Sequence, residues 1–129
     1  MSICYSLLMK RFTSKTQQLG EKGEEMACKF LLEHGYMVIE RNVANKYGEI
    51  DIVAKKGTIV HFFEVKATRQ GSWFNPADNL NPVKLKKFLI SAQYYALIHQ
   101  IKDYKVQGIL VWVPQASSGE VKVEIIDVF

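Results

Sequence analysis

The sequence predicts an α/β domain with its elements in the order α-β-β-β-α-β-β, and three observations carry that expectation. A helical stripe lies near the start, two β-prone runs sit either side of a tight turn, and an Asn-Pro helix start is followed by two more β-prone runs. In the first of these, Leu19, Met26, Ala27, Phe30 and Leu31 recur at helical spacing between Ser14 and His34. Ser14 and Gln17 stand at capping-box spacing, and Gly35 is placed to stop the helix. Tyr36 to Arg41 then alternates as a strand, and Asn45 to Gly48 reads as a turn. Glu49 to Lys55 alternates cleanly, with Ile50, Ile52 and Ala54 on one side. Lys56 and Gly57 turn the chain into the β-branched and aromatic run Thr58 to Ala67, so these two strands should form an antiparallel hairpin.

The stretch Thr68 to Asn81 is rich in Gly, Asn and Pro and is expected to be a long loop carrying Trp73 and Phe74. Asn81 followed by Pro82 starts a second helix, whose apolar face of Leu85, Phe88, Leu89, Ala92, Tyr95 and Ala96 reaches about His99. Tyr104 to Val113 is a strand ended by Pro114, and Val121 to Val128 supplies the last one. Residues 1–13 show neither period and are read as an irregular arm, or as an over-extended start with Met9 as the initiator; residues 14–129 form the domain.

Composition narrows the function classes. The 129 residues are 48% apolar and 23% charged, enough for one core without disulfide staples. Cys4 and Cys28 form no paired spacing and His34, His61 and His99 are scattered, which argues against structural zinc. The apolar stretch from Ile3 to Met9 is far below the ~20 residues of a membrane span, so a cytoplasmic protein without a membrane partner is expected. Charge is unevenly spread: from Arg41 to Lys102 ten basic residues face four acidic ones, of which Glu49, Asp51 and Glu64 fall in strand-like segments. A basic surface around an acidic focus suits a polyanion bound near a divalent cation.

Residues two apart on a strand share a face, so Glu64 and Lys66 point together, as do Glu49 and Asp51. With Lys56 and Gly57 as the turn, Asp51 lies opposite Phe62 and diagonal to Glu64, on the same face. Two ionised carboxylates with oxygens about 5 Å apart repel by roughly 3 kcal/mol at an effective dielectric of 20. A cation between them would remove that cost, and hard oxygen ligands without histidine suit Mg2+ or Mn2+. Lys66 beside such an ion suits phosphodiester hydrolysis, in which negative charge builds on the phosphorus oxygens.

Gly-Glu-Ile-Asp (48 to 51) and Phe-Glu-Val-Lys (63 to 66) resemble the PD-(D/E)xK nuclease signature. The helix Gly20-x-x-Gly23-Glu24-x-x-Ala27, the pairs Gly35-Tyr36 and Arg41-Asn42, and Lys84 spaced before Ala92 and Tyr95 closely resemble the YraN family of small bacterial proteins, over about Gln17 to Phe129. That family is similar in turn to archaeal Holliday-junction resolvases. The resemblance implies a restriction-endonuclease-like fold, a mixed β-sheet flanked by helices, and a metal-dependent nuclease acting on branched or single-stranded DNA. It implies Asp51 and Glu64 as metal-binding acids, Val65 as a backbone carbonyl ligand, Lys66 as the catalytic lysine and Glu24 as the helical acid. Glu49 competes with Glu24 for the third acid, because it shares the face of Asp51. Arg69, Lys84, Lys87 and Arg41 are the candidate phosphate contacts. The chain departs from the family pattern at Ala67 and Thr68, where a second basic residue is usual, and at Gln107, where an aspartate is common.

The rival expectation is a catalytically silent module that grips nucleic acid and serves a helicase or recombination partner. A resolvase-like action on two strands would favour a homodimer. His61, Tyr94 and Trp112 read as structural.

Overall fold

The computed structural model describes residues 15–71, 77, 80–116 and 119–129, the side chain of Thr16 excepted. Its elements run α1 (Lys15–Glu33), β1 (Met37–Asn45), β2 (Gly48–Lys56), β3 (Ile59–Arg69), α2 (Pro82–Ile98), β4 (Tyr104–Val113) and β5 (Lys122–Asp127). The expected order of elements is therefore the observed one. Ser14, Trp73 and Phe74, and the arm ahead of them, lie outside the described residues.

The five strands form one mixed sheet in the order β1-β2-β3-β4-β5. β1, β2 and β3 are joined as antiparallel neighbours, β3 and β4 are parallel, and β5 returns antiparallel to β4. Parallel pairing needs a crossover, and α2 supplies it. β3, which carries Glu64 and Lys66, is the central strand of this order. A strand covered on both faces is buried without a break, and β3 is so from Val60 to Phe63, with His61 the one polar residue of the run.

Each face has its own core. Ala27, Cys28 and Leu31 of α1 cover Ile52, Ala54, Phe63, Ile109, Val111 and Val113. Phe88, Ala92, Tyr95 and Ala96 of α2 cover Ile50, Val53, Val60 and Phe62 on the other side. α1 approaches the sheet closely at Gly23, where an added Cβ would lie 2.4 Å from the Ala67 Cβ. α2 starts as its sequence dictates: Asn81 caps it by accepting the Val83 N–H at 2.8 Å, with Pro82 at the first helical position.

The hairpin register differs from the expected one. The turn falls at Gly57 and Thr58 rather than Lys56 and Gly57, with Gly57 at φ +61 and Lys56 paired to Ile59. Gly tolerates that positive φ at the first turn position, which β-branched Thr58 would not. Ile52 accordingly pairs with Phe63, and the same register continued by one step sets Asp51 level with Glu64, not with Phe62.

Gln107 stands in a polar chain that runs from buried His61 to exposed Asp127. It accepts from His61 Nδ1 at 2.7 Å and donates from Nε2 to Asp127 at 3.0 Å. The amide orientation required by Asp127 fixes the His61 tautomer with its proton on Nδ1.

Candidate functional site

Beyond the Ile52–Phe63 pair the β2–β3 ladder ends, and a side chain takes over its hydrogen bond. Asp51 Oδ2 accepts the Val65 N–H at 2.7 Å. In an extended strand the N–H and C=O of one residue point to the same side, so the Val65 carbonyl also lies on the Asp51 side of β3. Two residues of β3, Glu64 and Lys66, meet as the strand period requires, with Lys66 Nζ 3.4 Å from Glu64 Oε1.

These groups open into a cavity of about 450 Å3 at the end of the sheet, between the two helices. From β2 it takes Gly48, Glu49 and Asp51, and from β3 Glu64, Val65 and Lys66. α1 contributes Gly20 and Glu24, and α2 contributes Lys84, Lys87 and Phe88. Glu24, Asp51, Glu64, Val65, Lys66, Lys84 and Lys87 of the sequence-derived set thus share one pocket, and so does Glu49. Arg41 and Arg69 do not line it. Arg41 on β1 holds Glu24 instead, with Nε and one terminal nitrogen each 3.2 Å from Glu24 Oε1. Arg69 ends β3 as an exposed residue level with Val113.

The electrostatics are those of crowded, partly desolvated acids. Burial raises the Asp51 carboxyl to about 6, against the pull of the Val65 N–H, with Glu24 and Glu64 adding to the rise and Lys66 opposing it. Glu24 is also raised, chiefly by burial, while the Arg41 guanidinium and the Asn42 amide pull it down. Glu64 Oε2 is buried with no hydrogen-bond partner among the described residues. An orphan of that kind ordinarily costs about 1–3 kcal/mol. Among the described residues no three His, Cys, Asp or Glu side chains converge as a ready-made metal cluster. What converges is a pair of carboxylates, Asp51 and Glu64, with an ammonium on Glu64 Oε1 and, among the described residues, no hydrogen-bond partner on the buried Glu64 Oε2.

Sequence reasoning passed over Gly20, Gly48, Phe88 and the Asn42 support. Asn42 had a signal in the Arg41-Asn42 pair: it sits at φ 53, a left-handed conformation that Asn tolerates better than most residues. Gly48 is pressed against α2, where an added Cβ would lie 2.9 Å from Ser91 Oγ. No helix among the described residues is long and apolar enough to cross a membrane, which says nothing of spanning strands.

The model of the uncharacterised protein family UPF0102 matches residues 23–128, which contain every strand and helix above except the first two turns of α1. The chain belongs to UPF0102. Its matched region includes Glu24, Asp51, Glu64 and Lys66. A UPF0102 protein of Wolinella succinogenes is 47% identical over 76 residues, covering 59% of this chain and 68% of that protein. One from a Sulfurovum species is 48% identical over 94 residues, 71% of this chain and 81% of that one. One from Campylobacter jejuni is 40% identical over 93 residues, with the same coverage. Among solved structures, a protein of unknown function from Silicibacter pomeroyi aligns over 90% of this chain and 74% of its own, at 12% identity and a TM-score of 0.37, a likeness that carries no argument.

Proposed function

We propose that this UPF0102 member is a metal-dependent nuclease that hydrolyses DNA phosphodiester bonds in the cytoplasm, acting on branched or single-stranded DNA. The observation that carries the reading is Glu64 Oε2, buried with no hydrogen-bond partner among the described residues, in the same pocket as the crowded Asp51 carboxylate. Two carboxylates and a backbone carbonyl are a fitting donor set for Mg2+ or Mn2+, since Mg2+ commonly keeps several waters and takes only one or two protein carboxylates. Asp51, Glu64 and the Val65 carbonyl would hold the ion, with Glu24 at the rim. Bound there, the ion would polarise a phosphoryl oxygen and acidify a water. Lys66, held on Glu64 Oε1, would stabilise the charge that grows on the phosphate oxygens. Lys84 and Lys87, with no ion pair among the described residues, would position the phosphate backbone.

The test is cutting of junction, flap and single-stranded DNA by purified protein. Cleavage should require Mg2+ or Mn2+, vanish in EDTA, and fall at least a hundredfold in Asp51→Ala, Glu64→Ala and Lys66→Ala. Failure of the wild-type protein to cut any of these substrates with either metal would overturn the reading. DNA binding that persists without cutting would transfer the pocket to the catalytically silent alternative.

A further inference from the structure

The turn between β1 and β2 forms a small platform beside the pocket. Tyr47 N–H is received by Asn45 Oδ1 at 3.0 Å, and Asn45 Nδ2 donates to the Ser91 carbonyl of α2 at 3.2 Å. With Gly48 pressed on Ser91, the turn is clamped to the helix. On that clamp the Tyr47 and Tyr94 rings meet edge to face, centroids 5.2 Å apart at 64°. Lys46 Nζ lies over both rings, 5.2 Å from one centroid and 5.4 Å from the other. No carboxylate pairs with Lys46 among the described residues, and Tyr47 remains 41% exposed.

From this geometry we infer that Lys46, Tyr47 and Tyr94 form a binding subsite for an unpaired nucleobase and its phosphate, next to the candidate nuclease pocket. The exposed, pre-positioned Tyr47 ring offers a stacking face that every base can use once the flexible Lys46 side chain swings from above it onto a phosphate. The placement fits a strand that continues into the pocket. Tyr47 is followed directly by Gly48 and Glu49, which line the pocket, and Lys87 and Tyr94 lie two turns apart on α2. That is about 10 Å along the helix, a span that a few nucleotides of unpaired strand can cross. A base inside a duplex is stacked on both faces and has none to give the ring, so the subsite selects unpaired DNA. The inference rests on the nuclease reading for the strand's destination, but its own test does not depend on cleavage.

The experiment compares a fluorescein-labelled single-stranded oligonucleotide with a blunt duplex of equal length, by anisotropy in EDTA at low salt. Tyr47→Ala should weaken single-strand binding about tenfold or more and leave duplex binding within twofold, since stacking is worth about 1–3 kcal/mol per base. Tyr47→Phe should bind as wild type, and Tyr47→Leu, which keeps apolar bulk to pack on Tyr94 but has no π-face, should behave as Tyr47→Ala. Lys46→Gln should weaken single-strand binding and flatten its salt dependence. Wild-type-like single-strand binding by both Tyr47→Ala and Tyr47→Leu would overturn the inference while leaving the nuclease reading intact. Equal weakening on both substrates would also overturn it, because the ring would then not be reading unpaired bases. If the wild-type protein binds neither DNA, the inference falls; cutting assays with metal decide the nuclease reading separately.

Discussion

Asp51 holds its position at a cost in stability. Its carboxyl has a reference value of 3.8 when exposed and rises to about 6 in the fold. Between those values the native state binds more protons than the unfolded one, so stability falls as pH rises through that window, by about 3 kcal/mol once above it. Asp51→Asn keeps an acceptor for the Val65 N–H without the charge. In EDTA at pH 7.5 it should raise the urea midpoint relative to wild type, and the gap should close below about pH 4; equal midpoints at both pH values would refute the assignment of cost. The same residue shows how far the sequence could be read. The pairing of Glu64 with Lys66 follows from strand periodicity alone. The partner across the hairpin does not, because moving a two-residue turn by one position moves the partner by two, from Phe62 to Glu64. A two-residue shift preserves the face, and so the convergence of Asp51 with Glu64 survived an incorrect register. The support of Glu24 was hidden, because nothing in the spacing of Arg41 says that the β1 strand will carry it under α1.

At the scale of elements, α1 makes opposite demands on its two mid-helix glycines. Gly20 meets nothing within 4 Å of an added Cβ, whereas Gly23 would strike Ala67. Gly20→Ala should therefore stabilise the protein by up to about 1 kcal/mol through helix propensity. Gly23→Ala should destabilise it by roughly 1–3 kcal/mol through overpacking. Ala67→Gly in the Gly23→Ala background should restore part of that loss, and a double-mutant cycle in urea measures the coupling. Additive effects would mean that the helix does not rest on β3 at this point. Helix and strand limits were legible to within a few residues, because the apolar periods are strong and Asn81-Pro82 marks the start of α2. β1 was the weakest, extending to Asn45 rather than stopping at Arg41, since Asn42, at φ 53, interrupts the extended backbone just past Arg41 and is not a residue that reads as strand.

For the whole molecule, the nuclease reading predicts that ion binding is linked to folding. Mn2+ at a hundred times its dissociation constant should stabilise the wild-type protein by about 2.7 kcal/mol. Glu64→Gln should lose most of that gain, as read by the shift in thermal midpoint; an equal shift in the variant would place the ion elsewhere. The parallel placement of β4 beside β3 could not be read from local pattern, since the choice is made by a crossover of more than thirty residues and not by either strand. That connection also divides the assembly of the pocket in time. Asp51, Glu64 and Lys66 come from neighbouring hairpin strands with short loops to close, whereas Lys84 and Lys87 arrive on the excursion that must complete before β4 can dock. Short loops close sooner than long ones. The hairpin half of the pocket is thus kinetically local and the α2 half topologically late, so a nascent chain can gather its two carboxylates and Lys66 well before it gains the further lysines that would draw a nucleic acid toward them.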